Sequence, residues 1–204
     1  MSAGAAIPSP APRMNRDARA AQLLDVVEAL TLKEGASAVT MERIAEQAGV
    51  AKPVVYRHFG NASAALLAVL ERRWAAIDPD LDAIFRGGAD FEAGVRRGVE
   101  RYLGELAADR YRIRKLLATA MDDPVVGRAF RMRLDRRSRD LAEILGRDLG
   151  VAPSAAVTLA GFCIGALGRL GDKVHEAPES AKAQADRFAR FITGGLRAAA
   201  GGGT

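Results

Sequence analysis

Lys52, Pro53, Val54, Tyr56, Arg57 and His58 fall within seven residues and bring together cations, hydrogen-bond donors and small apolar groups. That mixture suits DNA: an ammonium donates to O6 and N7 of guanine, and methyl surfaces such as those of Val54 and Pro53 pack on the C5-methyl of thymine. Groups of this kind read bases only from a rigid mount. The stretch 52–60 predicts a short helix, with Pro53 in the first turn, where its missing N–H costs nothing. Val55 and Phe59, four apart, form its buried face, and Gly60 is its stop. Lys52, Val54, Arg57 and His58 are left to project elsewhere.

A second short helix precedes this one. Thr40 is its expected N-cap, and Ile44, Ala45 and Ala48 recur at helical spacing on its inner face. Gly49 ends it in a left-handed turn, with Val50 as an apolar plug. Two short helices meeting at a glycine turn place the N-terminal part of the second in the DNA major groove. Thr40, at a helix N-terminus, is also positioned for a phosphate, and Arg43 points outward from the first helix of the pair as a further candidate. An amphipathic helix over 16–34, capped by Asn15 and stopped by Gly35, carries Ala20, Leu23, Leu24, Val27 and Leu30 as a stripe that braces the pair.

The run TMERIAEQAGVAKPVVYRHFGN, residues 40–61, with its G-V-x5-Y-x-H-F core, closely resembles the DNA-binding region of the TetR family of bacterial transcriptional regulators. The resemblance covers about residues 16–72. It implies an N-terminal three-helix helix-turn-helix domain followed by a larger helical domain that binds ligand and dimerises. It implies phosphate contacts for Tyr56 and His58, and a phosphate or base contact for Arg57, whose position varies in the family. The helix after Asn61 then answers ligand by tilting, with Trp74, Ile77 and Leu81 near the coupling path. The last two helices form the dimer interface. The implied function is a ligand-responsive, sequence-specific transcriptional regulator, a repressor released from a palindromic double-stranded operator by a small-molecule effector. One departure stands out: the family's lysine just after the recognition helix is replaced here by Asn61-Ala62-Ser63. Its phosphate clamp passes to backbone N–H groups at that helix start, or to Arg13, Arg16 and Arg19 of the N-terminal arm.

The rest of the chain fits an all-α protein. Of 204 residues 49% are hydrophobic, enough for a core, and strand signals are few. Net charge is +5, but residues 1–60 hold seven Lys/Arg against six Asp/Glu, so DNA binding rests on placement rather than bulk charge. Residues 1–14 read as a disordered tail, 15–60 as the DNA-binding head, and 61–200 as the sensing and dimerisation domain. A single cysteine, Cys163, excludes an internal disulfide framework and a Cys-rich zinc site; no cofactor or metal is expected. The apolar run 154–168 falls short of the roughly 18 residues of a membrane span, so a soluble cytoplasmic protein is expected. No catalytic constellation is visible: His58 and His175 are far apart, and Cys163 has no sequence-near base. The alternative is a small-molecule-binding helical protein without DNA function.

The body reads as six helices: 62 to about 77, ended by Asp78-Pro79; then, past a Gly87-Gly88 turn, 90–109, 111–121, 124–149, 153–175 and 179–199. The helix over 124–149 is the most basic. Arg128, Arg133, Arg136 and Arg139 lie off its apolar stripe and Arg131 and Arg137 border it; an acidic ligand or a second DNA contact is one reading of this basic face, and a solvated face paired with carboxylates elsewhere is the expected one. Trp74, Leu103, Phe130 and Phe162 are candidate effector contacts. Gly161 and Gly165, four apart, each cost about 1 kcal/mol of helix propensity relative to alanine. With Phe188, Ile192 and Leu196 they predict a face that packs on its own copy.

Overall fold

The computed structural model describes residues 15–86, 91–108, 112–176 and 181–201, whose regular structure is entirely helical. The expected tail over residues 1–14 and the Gly87-Gly88 turn lie outside them. Helix α1 spans Arg16–Glu34, capped by the Asn15 side chain, which accepts from the Ala18 N–H, and ended at Gly35. After a single 3-10 turn, α2 spans Met41–Ala48 and α3 spans Lys52–His58. Thr40 caps α2, accepting from the Arg43 N–H, and Gly49 closes it at φ 64°, the left-handed conformation that favours glycine. Helix α3 ends one residue before Phe59, whose backbone is already extended.

Helix α4 spans Ala62–Arg86, α5 Phe91–Ala108, α6 Arg112–Ala120, α7 Pro124–Leu149, α8 Pro153–Glu176 and α9 Ala181–Gly201. α4 corrects the sequence reading, because it runs unbroken through Asp78-Pro79. An interior proline costs about 3 kcal/mol. Asp78, immediately before it, accepts hydrogen bonds from Arg133 and Arg137 of α7, a tertiary anchor that opposes that cost. α7 begins where expected, with the Asp123 carboxylate accepting from the Val125 and Val126 N–H groups and Pro124 in the first turn.

One apolar cluster runs from the head into the body without a break. It joins Leu23 and Val27 of α1, Ile44 of α2 and Val55 of α3 to Leu66 and Leu70 of α4, Leu103 of α5, Leu116 of α6 and Val126 of α7. A second cluster packs Leu141 and Leu145 of α7 on Ala156, Ala160 and Cys163 of α8 and Leu196 of α9. Burial raises the Cys163 thiol pKa above its ordinary value, which suits a core residue rather than a nucleophile.

A buried ionic joint fixes α1 to the body. The Glu28 side chain, 3% exposed, accepts from Arg72 at 2.9 Å and from Arg73, both on α4, and pairs with Arg112 of α6 at 3.1 Å. A buried carboxylate is tolerable only when paired and hydrogen-bonded in this way.

Candidate nucleic-acid interface and effector cavity

Helix α3 presents its expected face outward. Lys52, Pro53 and Arg57 are exposed, Val54 and His58 half-buried, and Tyr56 is 51% exposed, so its ring is not core. Beneath them Val55 and Phe59 are buried. The Lys52 ammonium donates to Glu42 Oε1 at 3.0 Å, and that bond, with Lys52's charge, holds the Glu42 carboxyl below its ordinary value. Surface pairs of this kind are weak and screened by salt, so a guanine edge can displace Glu42. Arg43 departs from expectation. Rather than pointing outward it forks onto Glu34 at 2.8 and 2.9 Å, bracing α2 against the end of α1.

Burial lowers the His58 pKa, and the charges of Arg57, Arg16 and Arg19 lower it further. The first turn of α1 and the end of α3 therefore form one basic surface, from sequence positions about 40 apart. Where the family's lysine is missing, Asn61 caps α4 by accepting from the Ala64 N–H at 2.8 Å. Ser63 Oγ donates to Asp123 at 2.6 Å, so the start of α4 is tied to the start of α7. Asp123 loses water on burial, yet the bonds from Ser63 and from the Val126 and Val125 amides together keep its carboxyl below the ordinary value.

In the body, a cavity of about 150 Å³ lies between α4, α5, α6, α7 and α8. Trp74, Leu106, Ile113 and Phe130 give it apolar walls, and Arg114, Arg133 and Arg137 also line it. The Trp74 and Phe130 rings stack at 6.1 Å, and the Arg133 guanidinium sits 4.9 Å from the Trp74 ring centroid, within cation–π range. Arg133 and Arg137 converge on Asp78, at 2.7 and 2.6 Å. Burial opposes the Asp78 charge, but these two arginines outweigh it and hold the carboxyl below its ordinary value. Burial also raises the Tyr102 phenol pKa, against the charge and hydrogen bond of Arg114.

Of the four effector candidates, Trp74 and Phe130 line this cavity. Leu103 and Phe162 do not. Leu103 is wholly enclosed in the first cluster, and Phe162 is 70% exposed on the outer face of α8. Sequence reasoning raised an acidic ligand for the basic face of α7 but did not place Arg133 and Arg137, or Arg114 of α6, in a cavity. Arg133 lay off the apolar stripe, and its partner Asp78 is 55 residues distant. The expected basic face of α7 is divided: Arg128, Arg131, Arg136 and Arg139 are exposed, while Arg133 and Arg137 turn inward.

The predicted self-packing face is also redrawn. Gly161 and Gly165 are exposed, and a Cβ added at either, or at Gly168, would meet nothing within 4 Å. By contrast, a Cβ at Gly171 would lie 2.9 Å from Leu106 Cδ1 and 3.1 Å from the Tyr102 hydroxyl, so of these four α8 glycines it is Gly171 that faces close neighbours within the chain. On α9, Phe188 and Ile192 pack inward and Leu196 is buried. The outward groups are Val157 and Phe162 of α8 and Phe191 of α9, 56%, 70% and 77% exposed. Residues 153–171 are long and apolar enough to cross a membrane by length and composition, a longer stretch than the sequence reading took; their inner face is the Ala156, Ala160 and Cys163 side of the second cluster.

Residues 23–69 match the family model described as bacterial regulatory proteins, tetR family. The chain is 27% identical over 149 residues to the HTH-type transcriptional activator FasR of Mycolicibacterium smegmatis, covering 72% of this chain and 68% of that protein. Its fold is similar to a TetR-like transcriptional regulator from Rhodococcus sp. RHA1, at TM-score 0.70 and 24% identity, over 90% of this chain and 98% of that one. It is likewise similar to SmeT in complex with triclosan, at TM-score 0.68 and 22% identity, over 89% and 91% of the two chains.

Proposed function

Because this chain belongs to the TetR family of bacterial transcriptional regulators, we propose that it is a homodimeric, sequence-specific DNA-binding protein whose operator affinity answers a small-molecule effector. The observation that carries the DNA reading is the exposed Lys52 to His58 surface, mounted on a helix-turn-helix and flanked by Arg16 and Arg19. Lys52, Val54 and Pro53 read bases. Tyr56, His58 and Thr40 set register on phosphates, with Arg57 on either. Arg43 joins them only by leaving Glu34.

The dimer reading rests on α8 and α9. Gly161 and Gly165 each cost helix stability and serve no contact within the chain, while Val157, Phe162 and Phe191 leave an apolar surface beside them. A second copy packed there explains both, and also accounts for an apolar α8 in a protein that works in the cytoplasm. Two-fold symmetry then sets the recognition helices roughly 34–36 Å apart on a palindrome.

The test is selection of bound duplexes from a random pool by the purified protein at moderate salt. Enrichment of a palindrome with two short half-sites is expected. Salt-sensitive binding without an enriched motif would refute the sequence-specific reading, and no binding to any duplex would favour a helical ligand-binding protein without DNA function. A repressor is the primary assignment. The name of the mycobacterial relative, a transcriptional activator, favours a second one. In vitro transcription from the selected site separates them, since a repressor lowers and an activator raises transcript when bound.

A further inference from the structure

We infer that the effector is a small organic anion, a carboxylate carrying an apolar body of about one aromatic ring, and that its charged end takes Arg133 and Arg137 from Asp78. The inference rests on the regulator reading above and deepens it. A cavity of about 150 Å³ is of the order that holds a single aromatic ring. Its walls are Trp74, Phe130, Leu106, Ile113 and Leu117, and a smaller hollow of about 50 Å³ shares Ile164 and Leu167 with it. An apolar body fits both.

The charged lining has one sign. Arg114, Arg133 and Arg137 line the cavity, and the carboxylate that meets the latter two is Asp78. Asp78 therefore occupies, from within the chain, the place an effector's carboxylate would take. Two guanidinium forks accept a planar, bidentate anion, and both are partly shielded from water, at 21% and 13% exposure. A neutral ligand would desolvate these arginines without repaying them, and a cation would be repelled. Because Asp78 is on α4, the helix that begins directly after the recognition helix, exchange of Asp78 for an external carboxylate removes one of the ties between α4 and α7.

Trp74, the chain's one tryptophan, lies in the cavity wall and reports occupancy directly. The full-length protein is titrated with 4-phenylbutyrate, 4-phenylbutanamide and 4-phenylbutylamine while Trp74 fluorescence is followed. The carboxylate is expected to bind at least about tenfold more tightly than the amide, the difference made by one charge-assisted hydrogen-bonding group, and the amine weakest. Asp78→Asn removes the internal competitor and should tighten carboxylate binding while leaving the amide unchanged. Arg137→Gln should erase the carboxylate preference. If the amide matches the carboxylate, if no probe perturbs Trp74 at millimolar concentration, or if Asp78→Asn leaves carboxylate affinity unaltered in a protein that keeps its helical circular dichroism, the inference is overturned. These titrations contain no DNA. Failure of the regulator reading shows instead in the duplex selection, whatever the probes do.

Discussion

Glu28→Gln tests whether the ionic joint between head and body carries the stability its burial implies. The substitution keeps the side-chain shape and removes one charge. In the native joint Oε2 accepts from Arg72 at 2.9 Å and from Arg73 Nε at 3.2 Å, and Oε1 faces Arg73 and Arg112, the latter at 3.1 Å. Whichever oxygen becomes an amide NH2, two donors then face a donor. Removing one partner from a buried ion pair costs about 3–5 kcal/mol. The arginines here are 31%, 29% and 50% exposed and recover part of that cost from water, which brings the expectation to about 2–4 kcal/mol. For a chain of this size each kcal/mol moves Tm by about 2–4 °C, so a fall on the order of 10 °C is expected. Urea unfolding at pH 7 by circular dichroism and by Trp74 fluorescence, with the two transitions required to coincide, measures the free-energy cost, and thermal unfolding the fall in Tm. Asp25→Asn is the control. Asp25 lies closer to Arg72, at 2.7 Å, but is 72% exposed, so its loss should cost under about 0.5 kcal/mol. A Glu28→Gln cost below about 1 kcal/mol, or equal to that of Asp25→Asn, would refute the argument that burial rather than distance sets the strength of this joint.

Lys52→Ala should cost about 1–3 kcal/mol of operator binding and relax specificity at one position per half-site; an unchanged selected motif would remove Lys52 from base reading. His58 titrates below its ordinary value of 6.5, so the unfolded chain takes its proton more readily and folding stability falls as pH drops through 6.5. A phosphate beside His58 reverses that preference, so operator affinity should rise as pH falls from 8 to 6 while His58→Gln flattens the profile; parallel profiles for the two proteins would place His58 off the phosphates. Phe162→Glu combined with Phe191→Glu should yield a monomer by sedimentation equilibrium with helicity intact, since both rings are exposed; a persisting dimer would move the interface elsewhere.

The head was legible because its signals are local. Thr40, Gly49 and Pro53 each act within a turn of their own position, and Val55 and Phe59 are buried by a period the helix itself imposes. The body was legible only as helices. Whether Leu103 or Phe130 meets the cavity depends on which neighbours α5 and α7 face, and no sequence period encodes that. Phe188, Ile192 and Leu196 share a helical face with a plausible interface, yet that face is the one α9 turns into its own core. Glu28 sits in the sequence as an ordinary charged residue between Val27 and Ala29, and its three arginines are 44 or more positions away. Asp78 was read only as half of a helix-breaking pair, because its two partners belong to α7.

Three polar ties fix α4 at different heights. Ser63 holds its start to Asp123 of α7, Arg72 and Arg73 hold its middle to Glu28 of α1, and Asp78 is held by Arg133 and Arg137 of α7. At 1.5 Å per residue the outer ties stand about 14 Å and about 8 Å from the central one. A body entering between α4 and α7 beside Trp74 loads the Asp78 tie first. If the buried Glu28 joint acts as the pivot, 1 Å of separation at Asp78 becomes roughly 1.8 Å at Ser63 in the opposite direction, and α3 follows directly from there. Ser63 and Asp123, joined by one hydrogen bond at the half-buried start of the helix, resist that motion far less than Glu28 does. The weak tie therefore sits next to α3 and the strong one at the fulcrum, an arrangement that, under the function proposed above, would convert a small expansion of the cavity into a larger displacement of the proposed DNA-facing surface.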